Sequence, residues 1–174
     1  MICLIFSAYF SATETAFSSL NRTRLKTMAE KGEKRAILAC KLSDQYDKLI
    51  STILIGNNIV NILAASVGTM LFVSLYGDAG ATISTIVLTI LVLIFGEVSP
   101  KSIAKDCPEK FAMFSAPFIH VLMAVFTPLN FLFSQWKKLL ARVFHLETSS
   151  KMSQDELLML VNEVQQDGSI DENE

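Results

Sequence analysis

The sequence predicts an all-α integral membrane protein, with three transmembrane helices, juxtamembrane amphipathic helices and a helical hairpin dipping partway into the bilayer. Three observations carry this. Of 174 residues, 51% are hydrophobic and only 18% charged, where soluble domains sit nearer a quarter charged. The charges crowd into residues 21–48, residues 101–110 and the C-terminal end. Between them lie apolar runs of about the ~20 residues that a crossing helix needs. The net charge of −2 and the lack of interleaved basic and aromatic residues argue against a nucleic-acid partner. Cys3, Cys40 and Cys107 are scattered, without CxxC or Cys–His spacing, so neither zinc nor a disulfide framework is expected.

The first span is expected at about residues 1–20. Its start lacks the basic region of a secretory signal. Its second half is polar, and Ser7 and Ser11, four apart, share one helix face. Residues 22–43 are basic, with apolar stripes at Leu25, Met28 and Ala29, then Ala36, Ile37, Cys40 and Leu42, interrupted at Gly32. They read as two short amphipathic helices on the membrane surface. Ser43 or Asp44 is a candidate cap for the helix that follows.

The second span, about residues 49–76, is over-long and must tilt or protrude. Gly56-Asn57-Asn58 and Asn61 interrupt it. A buried amide left unpaired costs roughly 1–3 kcal/mol, so these asparagines must bond or bind something. Asn57 and Asn61 share a face, while Asn58 reads as polar glue between helices. Gly56, Ala64, Ala65, Ser66 and Gly68 would let another helix come close.

An uncharged turn, Gly77-Asp78-Ala79-Gly80, leads to the third span, about residues 81–99. Lys101, Lys105 and Lys110 follow it. The positive-inside rule places residues 21–47 and 101–110 in the cytoplasm, hence the N-terminus and the 77–80 turn outside. Residues 111–133 are hydrophobic, but Pro117 and Pro128 break them, and a full crossing would carry Lys137, Lys138 and Arg142 outside. A partly inserted hairpin avoids this, with a true fourth span as the alternative. Juxtamembrane helices then fill residues 101–146, closing with Leu132, Phe133, Trp136, Leu139, Leu140, Val143 and Phe144 at helical spacing, an interfacial stripe. Residues 1–147 thus form the membrane domain. Residues 148–174 read as a linker and an acidic helix, opened by the capping box Ser153-Gln154-Asp155-Glu156.

The organising stretch is Gly96-Glu97-Val98-Ser99-Pro100-Lys101. It sets a carboxylate inside apolar sequence, a default functional hypothesis, just before a proline that frees carbonyls of the preceding turn. Side by side, the spans offer Ser7 and Ser11, Asn57 and Asn61, and Gly96 with Glu97, all oxygen donors. That set, without His or Cys, argues against zinc, copper or haem and suits Mg²⁺, which takes oxygens at about 2.0–2.1 Å and keeps several waters. Na⁺ suits the same oxygens. A single carboxylate favours release over storage.

The motifs Ser11-Ala12-x-Glu14-Thr15-Ala16, Gly56-Asn57-Asn58-x-x-Asn61 and Gly96-Glu97-x-x-Pro100-Lys101 resemble those of the CNNM/CorC family of magnesium transporters over essentially the whole chain. The resemblance implies a homodimer in the cell (inner or plasma) membrane that exports Mg²⁺ in exchange for Na⁺. It also implies a cytosolic CBS-domain pair, beyond this chain, that binds ATP. Carried over, Ser7, Ser11, Asn57, Asn61 and Glu97 line the dehydrated ion's site and Pro100 shapes the helix beside it. Glu14 matches a motif position without an evident ligand role. It reads as a partner for the basic segment or a lining of the cytoplasmic vestibule. The alternative is a Mg²⁺-sensing membrane regulator that does not itself transport. An enzyme is not expected, since HExxH and Gly-x-Ser-x-Gly are missing and neither His120 nor His145 has an acid or nucleophile nearby in sequence.

Overall fold

The computed structural model describes residues 1–143, and every element among them is helical. The helices are α1 (Ile2–Ser19), α2 (Arg22–Glu30), α3 (Lys34–Asp44), α4 (Tyr46–Tyr76), α5 (Gly80–Leu91), α6 (Ser99–Asp106), α7 (Pro108–Val125) and α8 (Thr127–Val143). A 3₁₀ turn at Gly77–Ala79 joins α4 to α5, and a π-helical segment at Val92–Val98 joins α5 to α6.

Within residues 1–133, α1 is the central helix, packed against α4, α6, α7 and the π-helical segment. Its composition falls short of a membrane crossing, because hydroxyls and Glu14 occupy much of it. Of those polar residues Ser7, Ser11 and Thr13 are buried, Glu14 and Thr15 are half-buried, and Ser18 and Ser19 are exposed. Small residues make the close packing possible, with Ala12 and Ala16 of α1 buried alongside Ala104, Ala112 and Ala116.

The helical run Tyr46–Asp106 is long and apolar enough to cross a membrane, and it folds back on itself. Gly77, at φ +62°, supplies the left-handed conformation the turn needs. The arms then meet through Thr69 and Ser84, whose hydroxyls are 3.3 Å apart. Every buried residue of α4 precedes Asn57. Beyond it, α4 and α5 expose Ile62, Val67, Met70, Leu75, Ile86 and Ile90, a surface made for hydrocarbon.

Several expectations need correction. Beyond the expected span of about residues 81–99, the chain stays helical through the π segment into α6. The helix after α3 starts behind Gln45 without a side-chain cap, and Ser43 and Asp44 instead end α3. The two helices around Gly32 are as expected. Gly32 sits at φ +86°, and the amides of Gly32 and Glu33 donate to the carbonyls of Ala29 and Met28, a Schellman closure. Much of their apolar stripes, however, packs on protein: Leu25, Ala36 and Leu42 are buried in the core and α3 packs on α7, while Ile37 is exposed. Asn58 is no inter-helix glue, because it is exposed and donates to the carbonyl of Leu54 in its own helix at 2.9 Å.

The expected hairpin over residues 111–133 has a counterpart. Helices Pro108–Val125 and Thr127–Phe133 are bent by 73° and are long and apolar enough for a crossing only as a pair. The break falls at Phe126, before Pro128, and Pro117 is carried inside α7. Leu132, Phe133, Trp136 and Leu139 of the interfacial stripe are exposed. Leu140, Val143 and Phe144, with Lys137, Lys138 and Arg142, lie outside the described side chains, and His145 with residues 148–174 lies outside the described residues.

Candidate functional site

The register of α1 against α4 fixes the site. Ser7 meets Asn57, Phe10 meets Gly56 and Ser18 meets Tyr46, so the two helices run antiparallel. Gly56 permits that approach, since a Cβ there would sit 2.5 Å from the Phe10 ring. The π segment closes in from the other side. A Cβ on Gly96 would lie 2.9 Å from Ser7 Oγ, so only glycine lets this backbone touch α1.

Three predicted residues therefore converge. Ser7, fully buried, donates to Asn57 Oδ1 at 3.4 Å beside Gly96. The other two polar residues do not join that point. Ser11 is one turn from Ser7 and Asn61 one turn from Asn57. Because the helices are antiparallel, these turns lead in opposite directions, about 6 Å each way. The polar groups form a column along the α1–α4 seam rather than a ring. Ser11 Oγ and Asn61 Oδ1 are both buried without a hydrogen-bond partner, a costly state for two polar atoms in one protein.

Glu97 is half-buried and forms no ion pair with another described residue. The wide turn it occupies has an identifiable cause. The amide of Ser99 donates to the carbonyl of Ile94, five residues back. In that register, Pro100, which has no N–H, leaves the carbonyl of Phe95 without its donor. Such π-bulges gather at functional sites. Among the described residues no group of three His, Cys, Asp or Glu could hold a metal. Along the seam itself, the polar side chains a cation would meet are the neutral oxygens of Ser7, Ser11, Asn57 and Asn61.

The family described as CNNM, the Cyclin M transmembrane N-terminal domain, matches residues 1–174. The chain belongs to the CNNM family. This CNNM domain is 45% identical over 161 residues to the UPF0053 inner membrane protein YfjD of Escherichia coli, covering 90% of the chain and 38% of the relative. It is 41% identical over 166 residues to a UPF0053 protein of Haemophilus influenzae, covering 94% and 40%. A polyamine export protein of Haemophilus influenzae is 27% identical over 158 residues, covering 83% and 37%. The chain thus spans about two fifths of the length of these curated relatives. As a CNNM membrane domain it sits in contact with the lipid bilayer.

Three residues of this CNNM domain escaped the sequence reading. Glu109 is buried at the start of α7, where it accepts from the Asn21 amide at 3.4 Å and pairs with Arg24 at 3.8 Å. Asn130, buried in α8, donates to Thr52 of α4 at 2.9 Å, while its Oδ1 has no partner. Tyr9 donates to the carbonyl of Ser115 at 3.2 Å within a cluster of phenylalanines. All three act across long sequence separations, which no local spacing reveals. Glu14 pairs with Lys101 at 3.5 Å, a partner on α6 rather than in the basic 21–47 segment.

Proposed function

We propose that this domain carries Mg²⁺ out of the cytoplasm in exchange for inward Na⁺, through the column of oxygens between α1, α4 and the π segment. The observation that carries the reading is the pair of orphaned buried oxygens, Ser11 Oγ and Asn61 Oδ1, on either side of the Ser7–Asn57–Gly96 contact. A dehydrated cation moving along the column, with Glu97 as its charge partner, would meet in turn the two buried oxygens that the fold leaves unpaired. A wide π turn is also a natural place for the helices to rearrange and open the site to the other side. In the working protein the domain spans the membrane three times, N-terminus outside, as a homodimer regulated by a cytosolic ATP-binding CBS pair.

The test is Mg²⁺ flux in proteoliposomes, with and without an opposing Na⁺ gradient. Flux that needs the gradient and is lost in Glu97→Ala supports exchange; equal flux in both proteins refutes the site. Mg²⁺ binding with no flux would support the sensing regulator instead.

A second cargo is favoured by one relative, named a polyamine export protein. Acceptors spaced one helical turn apart suit a linear polycation as well as a compact ion. A diamine that competes with Mg²⁺ for flux would support that cargo.

A further inference from the structure

The first motif contains a carboxylate that the column does not use. Ser7, Ser11, Glu14 and Ser18 are spaced i, i+4, i+7, i+11 and so share one face of α1. That face leads from the Ser7–Asn57 contact, through the orphaned and fully buried Ser11 hydroxyl, to Glu14 and then to Ser18. There it meets the Tyr46 hydroxyl at 3.1 Å. Glu14 is paired with Lys101 at 3.5 Å, with side chains 30% and 43% exposed. An ion pair this wet adds little to stability and is easily exchanged. It also stands one turn beyond Ser11, on the line a cation would follow to reach it.

We propose that Glu14, with Ser11 one turn away, is a receiving station for a hydrated divalent cation, held in the resting state by the tethered ammonium of Lys101. Mg²⁺ is commonly bound by one carboxylate while keeping most of its waters, which is what a half-exposed Glu14 can provide. The arriving ion displaces Lys101, and Ser11, at the near end of the column, is the first protein oxygen to replace a water. The inference rests on the transport reading above.

The experiment titrates MgCl₂ calorimetrically into the purified chain carrying Glu97→Ala, so that the station is read apart from the column. Adding Lys101→Met removes one unit charge beside the ion. It is expected to tighten Mg²⁺ binding on the order of tenfold, and adding Glu14→Gln is expected to abolish the gain. Lys101→Arg, which keeps the pair, should leave affinity where it began. Unchanged affinity in Lys101→Met, or a gain that survives Glu14→Gln, overturns the proposal. If Lys101→Met does not fold, Lys101→Gln carries the same test. Failure of the transport reading would appear separately, as proteoliposome flux indifferent to Glu97, and would leave this titration readable.

Discussion

At the scale of single residues, the contact between Ser7, Asn57 and Gly96 is held by the missing side chain of a glycine. An added methyl 2.9 Å from Ser7 Oγ and 3.4 Å from its Cβ must push the serine off Asn57. Gly96→Ala is therefore expected to cost only about 1 kcal/mol of stability, the worth of one hydrogen bond, yet to cut flux severely. Scanning fluorimetry paired with proteoliposome flux separates the two. The oxygen donors themselves were legible in the sequence, because polar residues in apolar runs stand out. That they form a column was not, since it depends on the antiparallel register of α1 and α4. Cys40 offers a pH test outside the spans. Burial first, and then the Asp44 carboxylate, push its thiol above the ordinary range, with Lys26 pulling the other way. The thiolate is the reactive form, so a raised pKa means slower alkylation at neutral pH and a reactivity that climbs only at more alkaline pH. With Cys3 and Cys107 replaced, Asp44→Asn is expected to speed maleimide labelling of Cys40 at pH 7; an unchanged rate would remove the carboxylate from the explanation.

At the scale of elements, two glycines on the α4–α5 hairpin should behave differently. At Gly68 a Cβ meets the end of the Leu88 side chain, which can turn away, whereas at Gly80 it meets the carbonyl of Phe72 at 2.4 Å, which cannot. Gly68→Ala is expected to be mild, and Gly80→Ala to destabilise by about 1–3 kcal/mol, read as a difference in melting temperature between the two purified variants. The same logic explains which elements the sequence revealed. Helix stops at Gly32 and Gly77 are written in residues that tolerate positive φ. The continuation of the third arm through Pro100 into α6 is not. A proline ordinarily signals an end, but here the preceding π turn absorbs its ring and the helix goes on. The apolar stripes of α2 and α3 were visible too, yet an amphipathic stripe looks alike whether it meets lipid or α7.

At the scale of the whole domain, the basic segments should share one side of the membrane. Residues 1–133 show why. Tyr46 at the start of α4 touches Ser18 near the end of α1, and Glu109, just after α6, holds the Asn21 amide and Arg24. Both basic stretches are thus fastened to the same end of the bundle. The Gly77–Ala79 turn lies at the far end of α4, whose 31 residues extend about 46 Å. That exceeds the ~30 Å hydrocarbon thickness, so the two ends of α4 are expected in different aqueous phases, with the lysine- and arginine-rich end inside. In a chain freed of Cys3, Cys40 and Cys107, a single cysteine at Asp78 is expected to react with a membrane-impermeant maleimide in intact cells. One at Lys31 should react only after permeabilisation. Labelling of both from the same side would break the proposed topology, and with it the assignment of Ser18, Glu14 and Ser11 to the cytoplasmic approach. If both react as expected, the column lies between the two faces, where the proposed pathway requires it.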